Sequence, residues 1–187
     1  MKRHYLSFVC AMMMAFVLPA FNSVFAQDNA DMKVTMPFDQ LPVSNIKAAG
    51  NFKTGSVEIS MDFENKYDKT ANVSLSLGGF SDLGITTDKG KKYKIYTSEN
   101  LIGTADINKG YARVSAVQFG DKKFDWVTMV QQDLPQGEKR KLTVRIDKFD
   151  KAAKVITDFH IRCILSLNYF HTGDNLYRIE NLPIEWK

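Results

Sequence analysis

The sequence predicts an all-β protein, an antiparallel β-sandwich of seven to nine strands. Several segments alternate apolar and polar residues with a period of two, the pattern of a strand with one buried and one solvated face. Residues typical of turns, chiefly glycine, proline, asparagine and aspartate, separate these segments at short intervals. Uneven loops, together with first and last strands that look like edges, favour a sandwich over a closed barrel.

The N-terminus has the pattern of an export signal. Lys2 and Arg3 precede the apolar run "YLSFVCAMMMAFVL", and "SVFA" offers a cleavage site. The run is short for a bilayer core of about 30 Å, so we expect Met1–Ala26 to be a cleaved signal peptide, the alternative being an uncleaved anchor. Gln27 follows the cut, where a bacterial lipoprotein needs a cysteine. The prediction is a periplasmic or extracellular protein that is not a lipoprotein and has no membrane span after cleavage.

The remaining residues, 27–187, are predicted to form a single domain. The chain has neither an internal repeat nor a proline-rich linker, and we expect a monomer. Without the signal peptide, 23 basic residues face 21 acidic ones, a balance too even to favour nucleic acid or an anionic membrane surface as a partner. Cys163 is the one cysteine left, so stability has to come from packing rather than from an internal disulfide.

The strands are predicted in order from the alternation. In "VEISMDF", "NVSLSL" and "KLTVRI", every second residue is apolar. The residues expected on the buried faces are Val57, Ile59, Met61, Phe63, Val73, Leu75, Leu77, Leu142, Val144 and Ile146. In "ARVSAVQF" the alternation slips by one residue, which predicts a bulge or a strand buried on both faces. "KKYKIY" and "KFDWVTMV" add further strands, and "KFDKAAKVI" predicts one or two helical turns.

The segment "DFHIRCILSLNYFH" holds the one mature cysteine and both mature histidines. Read as a strand, it places Cys163 on an apolar face and His160 on the opposite face, so the two cannot share a proton or a metal. We therefore expect Cys163 to be a buried structural residue. His171 is expected to begin a turn, "HTGDN", that leads into the last strand.

Sequence motifs for catalysis are missing. The chain contains no HExxH, GxSxG or CxxC motif and no glycine-rich phosphate loop, and two histidines cannot form a three-histidine zinc site. We expect neither an enzyme nor a cofactor, and no catalytic or metal-binding residues. The alternative for a metal is calcium bound by Asp62, Glu64 and Asp68, which cluster at one strand end.

Five aromatic residues are the candidates for ligand binding because they lie in or beside turns or off the main apolar alternation. They are Phe80, Tyr96, Tyr111, Phe124 and Trp126. Exposed together, they would form a platform for sugar rings or a protein-binding patch. The alternative is that they close the ends of the core, as aromatic side chains commonly do.

The order of the elements resembles that of a group of secreted bacterial proteins of the Bacteroides type. The matching pieces are an Asn-containing turn at Glu64-Asn65, a turn and strand with Asp88, Gly90 and Tyr93, and a turn with Leu134, Pro135 and Gly137. The last piece is the closing "IENLPI", from Ile179 to Ile184. DUF4352-like extracytoplasmic domains are similar in layout. The resemblance implies an immunoglobulin-like sandwich. It implies no catalytic residues, since the functions of the group are largely unassigned.

These observations predict a secreted, non-catalytic immunoglobulin-like module that binds or supports another cell-envelope protein. The alternative is a carbohydrate-binding module that recognises a surface glycan through an exposed aromatic face. A third possibility, a carrier of small molecules, requires a closed barrel with an internal cavity.

Overall fold

A computed structural model describes residues 31–77, 82–93, 113–124 and 129–187. Within these ranges the protein is all-β, as predicted, and contains no helix, hence none long and apolar enough to cross a membrane. The twelve strands are β1 Lys33–Thr35, β2 Val43–Asn51, β3 Ser56–Glu64, β4 Ala71–Ser76, β5 Leu83–Thr87, β6 Lys92–Tyr93, β7 Arg113–Phe119, β8 Lys122–Phe124, β9 Met129–Leu134, β10 Lys139–Asp147, β11 Val155–Leu167 and β12 Phe170–Trp186. The count exceeds the predicted seven to nine; β1, β2 and β5 lie in segments for which no strand was predicted.

The strands form a curled mixed sheet that folds into two layers joined by β12. One layer has the order β6-β5-β11-β12, with β1 beside β12 and the pair β4-β9 beside β11. The second layer has the order β2-β3-β10-β7-β8. The prediction of an antiparallel arrangement holds for all described pairings except one, in which the end of β12, Ile184 to Trp186, runs parallel to β2. Pro183, which has no N–H to donate, lies where β12 changes from one layer to the other.

The core lies between the two layers and is built from the alternating residues of both. The faces predicted for β3, β4 and β10 are confirmed, since all ten of their apolar residues have no solvent exposure. Phe63 of β3 contacts Tyr177 of β12 edge to face at 5.1 Å between ring centroids, which links the layers. The Tyr177 hydroxyl donates a 2.7 Å hydrogen bond to the Leu41 carbonyl, so this buried polar group is satisfied.

A β-bulge explains the slipped alternation in β7. Arg145 of β10 pairs with Ala116, and the next residue, Ile146, pairs with Val114, so Ser115 is the extra residue. The Ser115 hydroxyl lies 3.4 Å from the Arg145 carbonyl. Of the two explanations that the sequence offered, the bulge is therefore confirmed.

Two local predictions are wrong. The segment from Lys148 to Ile156 forms a single turn and then enters β11, because Asp150 accepts hydrogen bonds from the Ala152 and Ala153 N–H groups and Ala153 is buried. The segment "HTGDN" lies within β12 rather than in a turn. The hairpin between β11 and β12 turns three residues earlier, at Asn168-Tyr169.

Candidate functional site

The five aromatic residues proposed from the sequence as ligand-binding residues cannot be assembled from the described part of the chain. Phe80, Tyr96, Tyr111 and Trp126 lie outside the described residues. Phe124 ends β8, where its backbone pairs with Val117. The aromatic platform formed by this set therefore stays a prediction.

Among the residues that the structure describes, the most prominent exposed feature is the tip of the hairpin formed by β11 and β12. Leu167 pairs with Phe170, so Asn168 and Tyr169 alone form a two-residue turn. Both residues have positive φ values, 49° and 67°, which identify the turn geometry favoured by the right-handed twist of a hairpin. Asparagine tolerates this conformation, whereas the second position usually holds glycine. We call Asn168, Tyr169 and Phe170 the hairpin tip.

Two aromatic rings stand in solvent at the hairpin tip. Tyr169 is 96% exposed and Phe170 is 79% exposed, the highest values among the exposed large hydrophobic residues of the described chain. Tyr169 also adopts a positive φ, which a residue with a Cβ atom avoids at a cost of about 1–2 kcal/mol. Glycine at this position would relieve the strain, and because the Tyr169 ring is exposed, its loss would remove no buried contact.

A polar cleft of about 380 Å³ opens beside the tip. Its lining residues are Thr70, Asn72, Asp133, Asn168 and Tyr169. Asn72 and Asp133 face each other across β4 and β9, and Asn72 pairs with Ser166 of β11, two residues before the turn. The hairpin and the edge of the β4-β9 pair therefore form the two walls of the cleft.

Hydrogen bonds hold the polar wall of the cleft in place. The Asn72 amide donates to Asp133 Oδ1 at 2.7 Å, and the Gln131 amide donates to Asn72 Oδ1 at 2.7 Å. Asp133 forms no ion pair with another described residue. The cleft thus presents a carboxylate and an amide in a fixed arrangement next to an exposed phenol ring.

The cysteine and the histidines do not form a reactive site in the described part of the chain. Cys163 has no solvent exposure, and burial raises the pKa of its thiol. His160 is also buried and lies on the opposite face of β11, where its Nδ1 atom is 2.8 Å from Asp158. Asp158 in turn lies 3.2 Å from the Arg178 guanidinium. The structure therefore supports the interpretation of this segment as a strand.

Two of the three acidic residues considered as a calcium site have other partners. Asp62 accepts a 2.8 Å hydrogen bond from the Asn45 amide, and Glu64 forms an ion pair with Lys139 at 3.3 Å. Asn65, between Glu64 and Asp68, is fully buried and donates to the carbonyls of Lys69 and Leu134. Within the described ranges, no group of three acidic, histidine or cysteine side chains is placed to hold a metal ion.

The opposite end of the fold is closed by aromatic rings that pack on one another. Tyr93 and Phe149 stack at 4.5 Å with an interplanar angle of 17°, and Phe149 contacts Trp186 at 6.3 Å. Phe52 meets Trp186 edge to face at 5.9 Å. Trp186 covers Gly50 so closely that a Cβ atom there would overlap its ring, and its indole N–H donates to the Ala153 carbonyl at 2.8 Å. We call Phe52, Tyr93, Phe149 and Trp186 the packed aromatic end.

Comparison with known proteins does not assign the chain to a family. No protein-family model and no curated protein matches the chain. Among solved structures, the chain is similar to the CooA pilin subunit from enterotoxigenic Escherichia coli, with 10% identity over 83% of this chain and 97% of the pilin, at a TM-score of 0.31. The alkylpurine DNA glycosylase AlkC of Pseudomonas fluorescens matches with 12% identity over 83% of this chain and 31% of the glycosylase, at a TM-score of 0.23. Scores this low support no conclusion about function.

The hairpin tip was missed in the sequence because the segment "DFHIRCILSLNYFH" was read as one strand that continues through Tyr169 and Phe170. Asn168 is the signal that would have located the turn, since asparagine is favoured at the first position of a two-residue hairpin loop. Gly173 suggested a turn further on. It has a different role, because a Cβ atom at this position would approach Phe38 Cε1 to 2.8 Å.

Proposed function

We propose that the protein is a non-catalytic binding module that recognises another protein of the cell envelope through the hairpin tip. The observation that carries this proposal is the exposure of two adjacent aromatic rings, Tyr169 and Phe170, at the hairpin tip. Aromatic side chains are the commonest anchors of protein interfaces because each buries a large area with few rotatable bonds. A turn that is already ordered also lowers the entropy lost on binding.

The proposal includes that the protein is not catalytic. The burial of Cys163 and His160, the residues best suited to catalysis, supports this part of the proposal. A nucleophilic cysteine has to be reached by substrate as a thiolate, whereas Cys163 is buried with a raised pKa. A histidine base has to face a nucleophile, whereas His160 is buried against Asp158. The cell-envelope location rests on the export signal expected at Met1–Ala26.

The test is a cross-linking pull-down from native cell envelopes with tagged residues 27–187. Wild-type protein is compared with Tyr169→Gly, which removes the ring while keeping the turn in its preferred geometry. We expect a stoichiometric protein partner with the wild type and a loss of at least tenfold in its recovery with the variant. An unchanged recovery of the same partner with Tyr169→Gly and Phe170→Ala would contradict the proposal.

Carbohydrate recognition is the second candidate, and the polar cleft beside the tip is the observation that favours it. Sugars are bound by side chains that exchange hydrogen bonds with hydroxyl groups and by aromatic rings that cover the apolar face of the sugar. Asn72, Asp133 and Tyr169 supply both kinds of group around a volume of about 380 Å³. A pocket of this size is within the range of small-ligand sites.

The two candidates are separated by residues that only one of them uses. Asn72→Ala and Asp133→Ala change the cleft, while Phe170→Ala changes only the outer side of the tip, since Phe170 does not line the cleft. Binding to a glycan is expected to fall with the two cleft variants and to persist with Phe170→Ala. Binding to a protein is expected to show the reverse pattern. Retention on an array of envelope glycans and the pull-down described above provide the two measurements.

A further inference from the structure

One lysine lies against the exposed ring at the packed aromatic end, and three more lie in the chain segments next to it. Phe52 is 55% exposed, and Lys151 Nζ lies 5.2 Å from the centre of its ring. Lys53 is the next residue in the same turn, and the Phe52 N–H donates a 2.8 Å hydrogen bond to the Lys187 carbonyl. Lys148 immediately precedes Phe149, whose N–H donates to the Gly55 carbonyl of that turn. We call Lys53, Lys148, Lys151 and Lys187 the basic patch.

The charges of the basic patch are not neutralised within the described chain. All four lysines are exposed, and none of them forms an ion pair with another described residue. The two aspartates close to the patch in sequence already have partners of their own. Asp147 pairs with Arg145 at 3.2 Å, and Asp150 pairs with Lys91 at 2.9 Å.

Two further acidic residues lie in the same region and leave the patch positive. Glu58 lines a shallow cleft of about 310 Å³ together with Arg145 and Lys187, and Glu185 is exposed two residues before Lys187. Four lysines against these two carboxylates and the α-carboxylate of Lys187 leave a net charge of +1 around an exposed phenyl ring. The near-even balance of the whole chain therefore hides a local excess of positive charge.

The turn that carries Phe52 is held rigidly by the backbone. The Gly55 N–H donates to the Asn51 carbonyl at 2.8 Å, and the Lys187 N–H donates to the Gly50 carbonyl at 2.9 Å. The backbone that carries Phe52 and Lys53 is therefore fixed against the end of β12. An exposed aromatic ring next to several lysines is the combination that binds the interface of an anionic bilayer, since the ring enters the headgroup region and the lysines face the phosphates.

We propose that the basic patch and Phe52 bind the surface of membranes that contain anionic phospholipids. The charge complementarity and the exposed ring favour this partner over a soluble polyanion, which would use the lysines and not the ring. The inference is independent of the function proposed for the hairpin tip. It places the two sites at opposite ends of β11, whose thirteen residues span roughly 40 Å. The hairpin tip then points away from the membrane, where it meets its partner.

The test is co-sedimentation of residues 27–187 with vesicles. Vesicles of 30% phosphatidylglycerol in phosphatidylcholine are compared with pure phosphatidylcholine, in 0.05 M and 0.5 M salt. We expect binding to the anionic vesicles at low salt and at least a tenfold loss at high salt, because salt screens exposed charges. Equal binding to both kinds of vesicle, or to neither, would overturn the proposal.

Variants assign the binding to these residues. Lys53→Gln and Lys151→Gln are each expected to lower the partition coefficient about fivefold, since one lysine near an anionic surface contributes about 1 kcal/mol. Phe52→Ser is expected to lower it further. The matched control is Lys139→Gln, because Lys139 is paired with Glu64 elsewhere and should have no effect. Circular dichroism confirms that each variant is folded.

A soluble polyanion distinguishes the membrane from the alternative ligand. Dextran sulfate is titrated against the wild type and Phe52→Ser. We expect vesicle binding to depend on Phe52. Any binding to dextran sulfate is expected to be the same with and without the Phe52 ring. If Phe52→Ser leaves vesicle binding unchanged, or if Lys139→Gln weakens it as much as Lys151→Gln does, the membrane site is disproved.

Discussion

Both ends of the molecule carry aromatic side chains, but most of these rings are packed at one end and exposed at the other. At the packed aromatic end, Tyr93, Phe149 and Trp186 stack on one another and close the core. At the hairpin tip, Tyr169 and Phe170 extend into solvent with little contact to the rest of the protein. Rings that pack contribute to stability, whereas rings left exposed cost solubility and indicate a partner. The difference separates rings that stabilise the fold from the exposed rings on which the proposed protein-binding site rests.

The backbone beneath each set of rings shows the same contrast. Gly50 has no side chain, which allows Trp186 to lie directly on the backbone of β2. At the tip the relation is reversed, since Tyr169 occupies a positive-φ position that glycine would fill without strain. One end uses glycine to pack a ring closely. The other end keeps a ring where glycine would be more stable.

Trp186→Ala is expected to have the largest effect on stability. The substitution removes the contacts with Phe149, Phe52 and Gly50 and the hydrogen bond to the Ala153 carbonyl. Loss of a large packed ring costs about 3–5 kcal/mol in a core, and the partial exposure of Trp186 places the expected loss near 3 kcal/mol. Urea denaturation measures it. A loss below about 1 kcal/mol would mean that the packed aromatic end is not a stabilising element.

Gly50→Ala is expected to destabilise the same end by about 1–3 kcal/mol. The added methyl group would overlap the indole ring, so Trp186 has to move from its position. The double variant Gly50→Ala, Trp186→Ala provides the control in urea denaturation. Because the clash requires the ring, the two single effects should not add. Additive effects would contradict the direct packing of Trp186 on Gly50.

Tyr169→Gly is expected to leave the stability unchanged or to raise it by up to about 1 kcal/mol. Relief of the positive-φ strain favours the variant, and the added freedom of glycine in the unfolded chain partly offsets this gain. The same substitution is expected to abolish binding at the hairpin tip. Thermal unfolding and the pull-down measure the two effects. A clear loss of stability would show that the Tyr169 ring has a structural role.

Asp150→Asn is expected to have the smallest effect, at the packed aromatic end. The ion pair with Lys91, together with the Ala152 N–H, holds the pKa of Asp150 below its usual value. A lowered pKa in the folded state stabilises the protein above the unfolded pKa of about 3.9, and this stabilisation is lost as the pH falls through the folded value. The variant should therefore unfold about 1–2 °C lower at pH 7. The difference should disappear below pH ~3, and a difference that persists would assign the effect to packing.

Much of the fold follows from the sequence because alternation is a direct consequence of strand geometry. Val57 to Phe63 and Leu142 to Ile146 show it without interruption, and Cys163 takes the buried face that its position predicts. The hairpin was misplaced because a glycine usually marks a turn, whereas Gly173 lies within β12 and makes room for Phe38. Which surface binds a partner depends on exposure, and exposure is a property of the assembled fold.

The basic patch illustrates the same limit. Lys53, Lys151 and Lys187 are far apart in the sequence, and the overall charge gives no sign of their proximity. They come together because the end of β12 pairs with β2 and the segment after β10 folds back onto Gly55. That parallel pairing was not predicted.

Photo-cross-linking at both ends tests the central claim most directly. A benzoylphenylalanine residue replaces Tyr169 in one variant and Phe52 in another, and each protein is irradiated in native cell envelopes. We predict a discrete protein adduct from position 169 and lipid adducts from position 52. The same adducts from both positions, or no adduct from position 169, would contradict the assignment of the hairpin tip as the binding end.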